Sequence, residues 1–121
     1  MSARGARMRR VDEAVREVLG EAVSTDLKDP RVGFVTVTEV RTSTDLRHAR
    51  VFVSVFGTAE EQAATLDGLR SAHGVLQARL ARELRMKRTP TLEFQLDDTA
   101  VRAARLEALI EDVTVTEDRD A

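Results

Sequence analysis

The sequence predicts an α+β domain in which helices cover one face of a three-stranded sheet. Three observations carry this. Apolar residues recur every three or four positions near the start and through the middle of the chain. Two segments alternate apolar and polar residues, and a third is rich in β-branched residues. Three strands cannot close a barrel, so helices must cover a sheet face. At 121 residues the chain supports one domain around one core.

The elements follow in order. Met8, Val11, Val15, Val18 and Ala22 form a helical stripe from Arg7 to about Thr25, widened by Ala14 and Leu19. The arginines at its entrance oppose the helix macrodipole, which mildly favours a role outside helix stability. Lys28-Asp29-Pro30-Arg31 ends it, because proline cannot continue a helix and disfavours α conformation at Asp29. Val32 to Val40, with Val35-Thr36-Val37-Thr38, reads as a first strand, followed by the polar turn Arg41–Asp45. Ala49, Val51, Val53 and Val55 alternate with Arg50, Phe52, Ser54 and Phe56 in a second strand antiparallel to it.

Gly57 breaks that strand, and Thr58 with Glu61 is a capping-box signature. Ala59, Ala63, Leu66 and Leu69 supply the expected core stripe of the helix it starts. Beyond Ala72-His73-Gly74, Leu76, Leu80 and Leu84 form a second stripe that Thr89-Pro90 stops. Leu92, Phe94 and Leu96 alternate in a third strand, and a last short helix is expected from Thr99 to Ile110 with Val101, Leu106 and Leu109. The two-helix crossover permits a parallel pair and hence a mixed sheet. The expected organisation is a flexible start (1–6), a domain (7–110) and an acidic, disordered tail (111–121).

Composition narrows the function. No apolar run approaches the ~18 residues of a membrane span. Met1-Ser2-Ala3-Arg4-Gly5-Ala6-Arg7 has no apolar segment behind it to make a secretory signal. With no cysteine there is no disulfide framework or thiolate metal site, so a cytoplasmic location is expected. The four aromatics, Phe34, Phe52, Phe56 and Phe94, weigh against recognition by base stacking. A net charge of −2 argues against a generic polyanion binder. Charge is unevenly spread, however. Residues 1–16 hold Arg4, Arg7, Arg9, Arg10 and Arg16 against Asp12 and Glu13, while the tail from Glu107 holds six acids against Arg119.

Catalysis finds no support. His48 and His73 lack a second histidine at zinc-binding spacing, and no metal or cofactor is expected. Glu60-Glu61 sits in a helix's first turn and Asp97-Asp98 just before one, where negative charge and capping are the ordinary explanations. Gly20 and Gly68 lack the spacing and the lysine of a phosphate loop, and either permit close packing or weaken their helices. Ser24, Ser43, Ser54 and Ser71 have no base to activate them.

The concentrated feature is the stretch from Leu69 to Arg88. After its small-residue kink come Arg79, Arg82, Arg85, Lys87 and Arg88 with Glu83 as the lone local acid. The three-residue spacing of the first three predicts one slowly drifting strip. A solvated face, or cations favoured at a helix C-terminus, is the bland explanation. Five cations in ten residues instead suit phosphate, which neutralises them with counterion release and takes arginine bidentately.

These residues also carry a resemblance. The arginine-rich start with Val11, Asp29-Pro30-Arg31, Val35–Thr38, Ser43 with Asp45-Leu46 before Ala49-Arg50-Val51, Ala72-His73-Gly74, and Pro90 before Leu92-Glu93-Phe94 occur in one order over about Arg7 to Asp98. In this the chain resembles the ribosome-binding factor A family of bacterial small-subunit maturation factors. The resemblance implies a type II KH-like fold, arranged α-β-β-α-kink-α-β with a short C-terminal helix. Ordinary KH domains clamp nucleotides with a Gly-x-x-Gly loop; Ala72 and Gly74 instead match the interhelical kink of this family. It further implies a non-enzymatic, monomeric factor with no membrane or small-molecule ligand. Such a factor binds the immature small (30S) subunit and its 16S rRNA near the 5′-terminal helix, assisting late maturation, 5′-end processing and cold adaptation. The expected RNA contacts are Arg79, Arg82, Arg85, Lys87 and Arg88, assisted by Arg7, Arg10 and Arg31, with His73 at the kink. A protein-interaction module whose basic strip meets an acidic partner is the alternative.

Overall fold

A helix of 20 residues, α1 (Ala6–Thr25), opens the computed structural model, which describes residues 4–99. It buries Val15, Val18, Leu19 and Ala22 of the stripe expected from helical periodicity, together with Val23, while Met8, Val11 and Ala14 are half-buried. Strands β1 (Val35–Thr42) and β2 (His48–Val55) follow, then α2 (Ala59–Ser71), α3 (His73–Leu84) and β3 (Thr91–Leu96). The helix expected beyond Thr99 and the tail 111–121 lie outside the described residues.

The sheet has the order β1-β2-β3, with β1 antiparallel and β3 parallel to β2. Ala49, Val51, Val53 and Val55 of β2 form the buried row that the alternation predicts, flanked by Val37, Val40, Leu92 and Phe94. An irregularity between Val37 and Glu39 shifts the register of β1, so that Val40 rather than Glu39 continues the inward row. Helix α1 packs along β1 and α3, and Leu76 and Leu80 of α3 are fully buried between these layers.

Two expectations need correction. The first strand begins at Val35 rather than Val32, because the preceding backbone is committed elsewhere. Val32 N donates to Asp29 O at 3.1 Å, and Gly33 N to the Thr65 hydroxyl of α2 at 3.3 Å. The core face of α2 is also rotated from the expected one: Thr65, Gly68 and Leu69 are buried, while Ala59 and Ala63 are both exposed. The close approach of the Val32 loop decides this. A Cβ at Gly68 would lie 2.7 Å from Val32 Cγ2, so only glycine fits there.

The capping box forms as the sequence indicates: Glu61 N donates to Thr58 Oγ1 at 3.1 Å and Thr58 N to Glu61 Oε1 at 3.2 Å. Gly57 enters it at φ +139°, a conformation that side chains strain. At the other end of the sheet, Asp12 accepts from Thr42 N at 2.8 Å while Arg4 donates to Thr42 O at 2.6 Å, pinning the start of α1 to the end of β1.

Candidate nucleic-acid interface

The kink is a change of helix direction made in one residue. Ala72 has φ −88° and ψ 8°, and its amide is shared between Gly68 O and Leu69 O at 3.1 Å each. Its carbonyl accepts from Leu76 N at 3.0 Å, starting α3. Gly74 lies exposed in the first turn of α3, and a Cβ there would meet nothing within 4 Å.

Side chains around this kink close the outer edge of β3. Arg70 donates to Phe94 O at 3.4 Å, Gln77 to Pro90 O at 2.9 Å, and Leu92 N donates to His73 Nε2 at 3.0 Å. Edge strands left bare invite pairing with other chains. Here two helices cover that edge with polar side chains, and an accepting Nε2 places the His73 ring proton on Nδ1. His73 is thereby held within the fold.

The expected basic strip divides. Successive steps of three residues rotate by roughly 60° around a helix, which swings Arg79 and Arg85 far apart. Arg79 faces α1, where its side chain is only 12% exposed. Its guanidinium bonds both oxygens of Asp26 at 2.9 Å, reaches Glu21 at 3.1 Å and pairs with Glu83. That network raises the guanidinium's affinity for its proton, and Arg79 lowers the Asp26 carboxyl, helped by Thr25. Glu21 and Asp26 were invisible as partners because they lie 58 and 53 positions away on another helix, reached only by the packing of α1 on α3.

Arg31 is committed in a similar way. It holds Asp29 at 2.6 Å and Ser71 Oγ at 3.0 Å, beside the end of α2. This pairing pulls the Asp29 carboxyl from 3.8 to about 2.

Of the remaining cations, Lys87 and Arg88 lie at the hairpin end of the sheet. Arg82 is exposed on the last turn of α3, and Arg85 caps that helix in the left-handed conformation, φ 51°. Lys87 and Arg88 follow on the loop to β3. There they line a groove of about 490 Å³ with Met86, Asp45, Leu46 and Arg47. Arg47 belongs to this cluster although its place in the β1–β2 turn gave it no weight in the sequence. Parallel pairing of β2 with β3 puts the two strand starts together, and Thr91 N donates to Arg47 O at 2.8 Å. The Arg47 side chain is held only loosely by Asp45, at 4.0 Å. Arg7 and Arg10 are exposed on the first turns of α1, the helix end pinned to Thr42. No ion pair to Arg7, Arg10, Arg82, Arg85, Lys87 or Arg88 forms within 4.0 Å among the described residues.

Among the described residues no group of three or more histidines, cysteines or carboxylates is placed to hold a metal, and no helix is long and apolar enough to cross a membrane. What the described residues assemble beside the β1–β2 turn is a cationic surface.

Comparison with known proteins fits this geometry. The family model for ribosome-binding factor A matches residues 7–110. A ribosome-binding factor A from Halorhodospira halophila is 49% identical over 108 residues, covering 88% of this chain and 86% of the relative. The crystal structure of ribosome-binding factor A from Thermus thermophilus superposes with a TM-score of 0.66 at 35% identity, covering 74% of this chain and 93% of that one. A Thermus thermophilus homology model fitted into a cryo-electron microscopy map of a 30S–RbfA complex superposes with a TM-score of 0.60 at 36% identity, over 72% of this chain and 91% of that one. The mixed sheet, the kinked helix pair and the matched residues agree: this chain belongs to the ribosome-binding factor A family.

Proposed function

We propose that this protein binds the immature small ribosomal subunit through its 16S rRNA, as a non-catalytic monomer in the cytoplasm that assists late maturation and 5′-end processing and supports growth in the cold. The observation that carries it is the basic cluster at the hairpin end of the sheet, in a family whose Thermus thermophilus member has been fitted into a 30S complex. Phosphate contact falls to Arg82, Arg85, Lys87 and Arg88, joined by Arg47 and by Arg7 and Arg10 at the start of α1. Arg79, Arg31 and His73 support the surface from within rather than touching RNA, since each already holds an intramolecular partner.

Such binding depends on salt. Removing one phosphate-binding cation should flatten the dependence of log affinity on log salt by roughly 0.7–0.9. Sedimentation of the purified protein with immature small subunits, mature small subunits and whole ribosomes tests the reading. Preferential binding to immature subunits, weakened in Lys87→Glu/Arg88→Glu, is the expected result. Equal binding to all three, or to none, overturns it.

A further inference from the structure

Two of the four phenylalanines point into solvent. Phe34 is 84% exposed and Phe56 is 83% exposed. Phe56 N donates to Phe34 O at 3.0 Å, extending the β1–β2 ladder by one pair beyond Val35 and Val55. Both residues line a groove of about 460 Å³ whose other walls include Pro30, Ala64 and Thr65. Two nearly bare aromatics sharing one groove mark a contact site rather than scattered surface residues. This site stands at the opposite end of the hairpin from the Arg47–Arg88 cluster.

The charge around it selects the partner. Glu61 lines the groove and Glu60 precedes it, both exposed in the first turn of α2 just after Phe56. Neither forms an ion pair within 4.0 Å among the described residues. Acids at a helix start are ordinary by themselves; here they border an apolar groove. Arg31, the cation at the groove wall, is already neutralised by Asp29 at 2.6 Å. A phosphate backbone is repelled by this rim. A lysine or arginine beside an apolar side chain fits it, the apolar group between the rings and the cation at Glu60 and Glu61.

We propose that the Phe34–Phe56 groove docks a basic, apolar-bearing protein segment of the small subunit, so that the factor meets RNA at one end of its sheet and protein at the other. The proposal rests on small-subunit binding, and its test keeps the two separable. A photoreactive phenylalanine analogue is placed at position 34 or 56 of the full chain, which is then bound to immature small subunits and irradiated. The expected result is a cross-link to a basic subunit protein from both positions. In parallel, Phe34→Ser/Phe56→Ser should raise the Kd for subunits about tenfold with an unchanged thermal midpoint. Glu60→Lys should weaken binding as well, since it reverses the charge that attracts the segment. Cross-links to rRNA, to residues 100–121 of the same chain or to a second copy overturn the proposal, as does tighter binding of Glu60→Lys. If the unsubstituted protein does not sediment with subunits, it is the small-subunit reading itself that fails.

Discussion

Arg79 reaches across from α3 to grip Asp26, the residue that caps α1, with one nitrogen 2.9 Å from each carboxylate oxygen. A residue that looks in sequence like part of an RNA-facing strip is therefore a joint between two helices. The two roles separate experimentally. Arg79→Ala strands Asp26, Glu21 and Glu83 without their shared cation and should lower the thermal midpoint by several degrees. Arg82→Ala, three residues on and exposed, should leave the midpoint in place and weaken subunit binding. Calorimetry together with sedimentation checks both. Equal midpoints for the two variants would show that Arg79 is not structural.

Stability should fall at acid pH through Asp29. Its carboxyl is held at about 2 against the usual 3.8, chiefly by the Arg31 side chain and then by the Arg31 amide. A carboxyl with a depressed folded-state value binds its proton less readily folded than unfolded. Its contribution is thus complete above the usual carboxylate range and is lost as pH falls toward 2. Asp26, lowered by Arg79, acts in the same sense. Urea midpoints measured between pH 5 and pH 2 should drop less steeply in Asp29→Asn than in the parent. An unchanged slope would remove Asp29 from the account.

Three glycines should respond differently to alanine. Gly20, with nothing within 4 Å of its Cβ position, should gain ~0.5–1 kcal/mol from the better helix former. Gly68→Ala should lose stability in spite of the same helical gain, because the new Cβ stands 2.7 Å from Val32 Cγ2, on a stiff β-branched side chain. Gly74→Ala should fold as well as the parent, its Cβ position being open. If Gly74→Ala nevertheless loses subunit binding, the bare backbone at the kink serves a partner's approach rather than the fold. Urea unfolding ranks the three.

His73 should matter for the sheet edge. Removing its ring in His73→Ala leaves Leu92 N, on a residue only 5% exposed, without the acceptor that now lies at 3.0 Å. A buried amide left unsatisfied costs about 1–3 kcal/mol. Hydrogen exchange at Leu92 should accelerate relative to the protected core amides. Full retention of protection there would show that the bond is dispensable.

Period and punctuation made much of this fold legible in the chain itself. The alternation of Ala49, Val51, Val53 and Val55, the Leu76 and Leu80 stripe, and the Thr58–Glu61 capping box depend on neighbours a few residues away, which is where sequence patterns carry information. The length of the two-helix crossover permitted the parallel pairing of β2 and β3 that the sheet adopts. The face of α2 was less legible, because the Val32 loop chose Gly68 and Thr65 over the alanines.

By itself, then, the sequence determined the order of elements, the kinked helix pair, the family and the presence of a local cationic excess. Which cations face outward was decided only in three dimensions. Packing of α1 on α3 brought Glu21 and Asp26 to Arg79 and withdrew it from the surface, while parallel strand starts brought Arg47 to Lys87 and Arg88. A charge becomes a binding group only when no closer opposite charge claims it, and that depends on contacts between residues far apart in the chain.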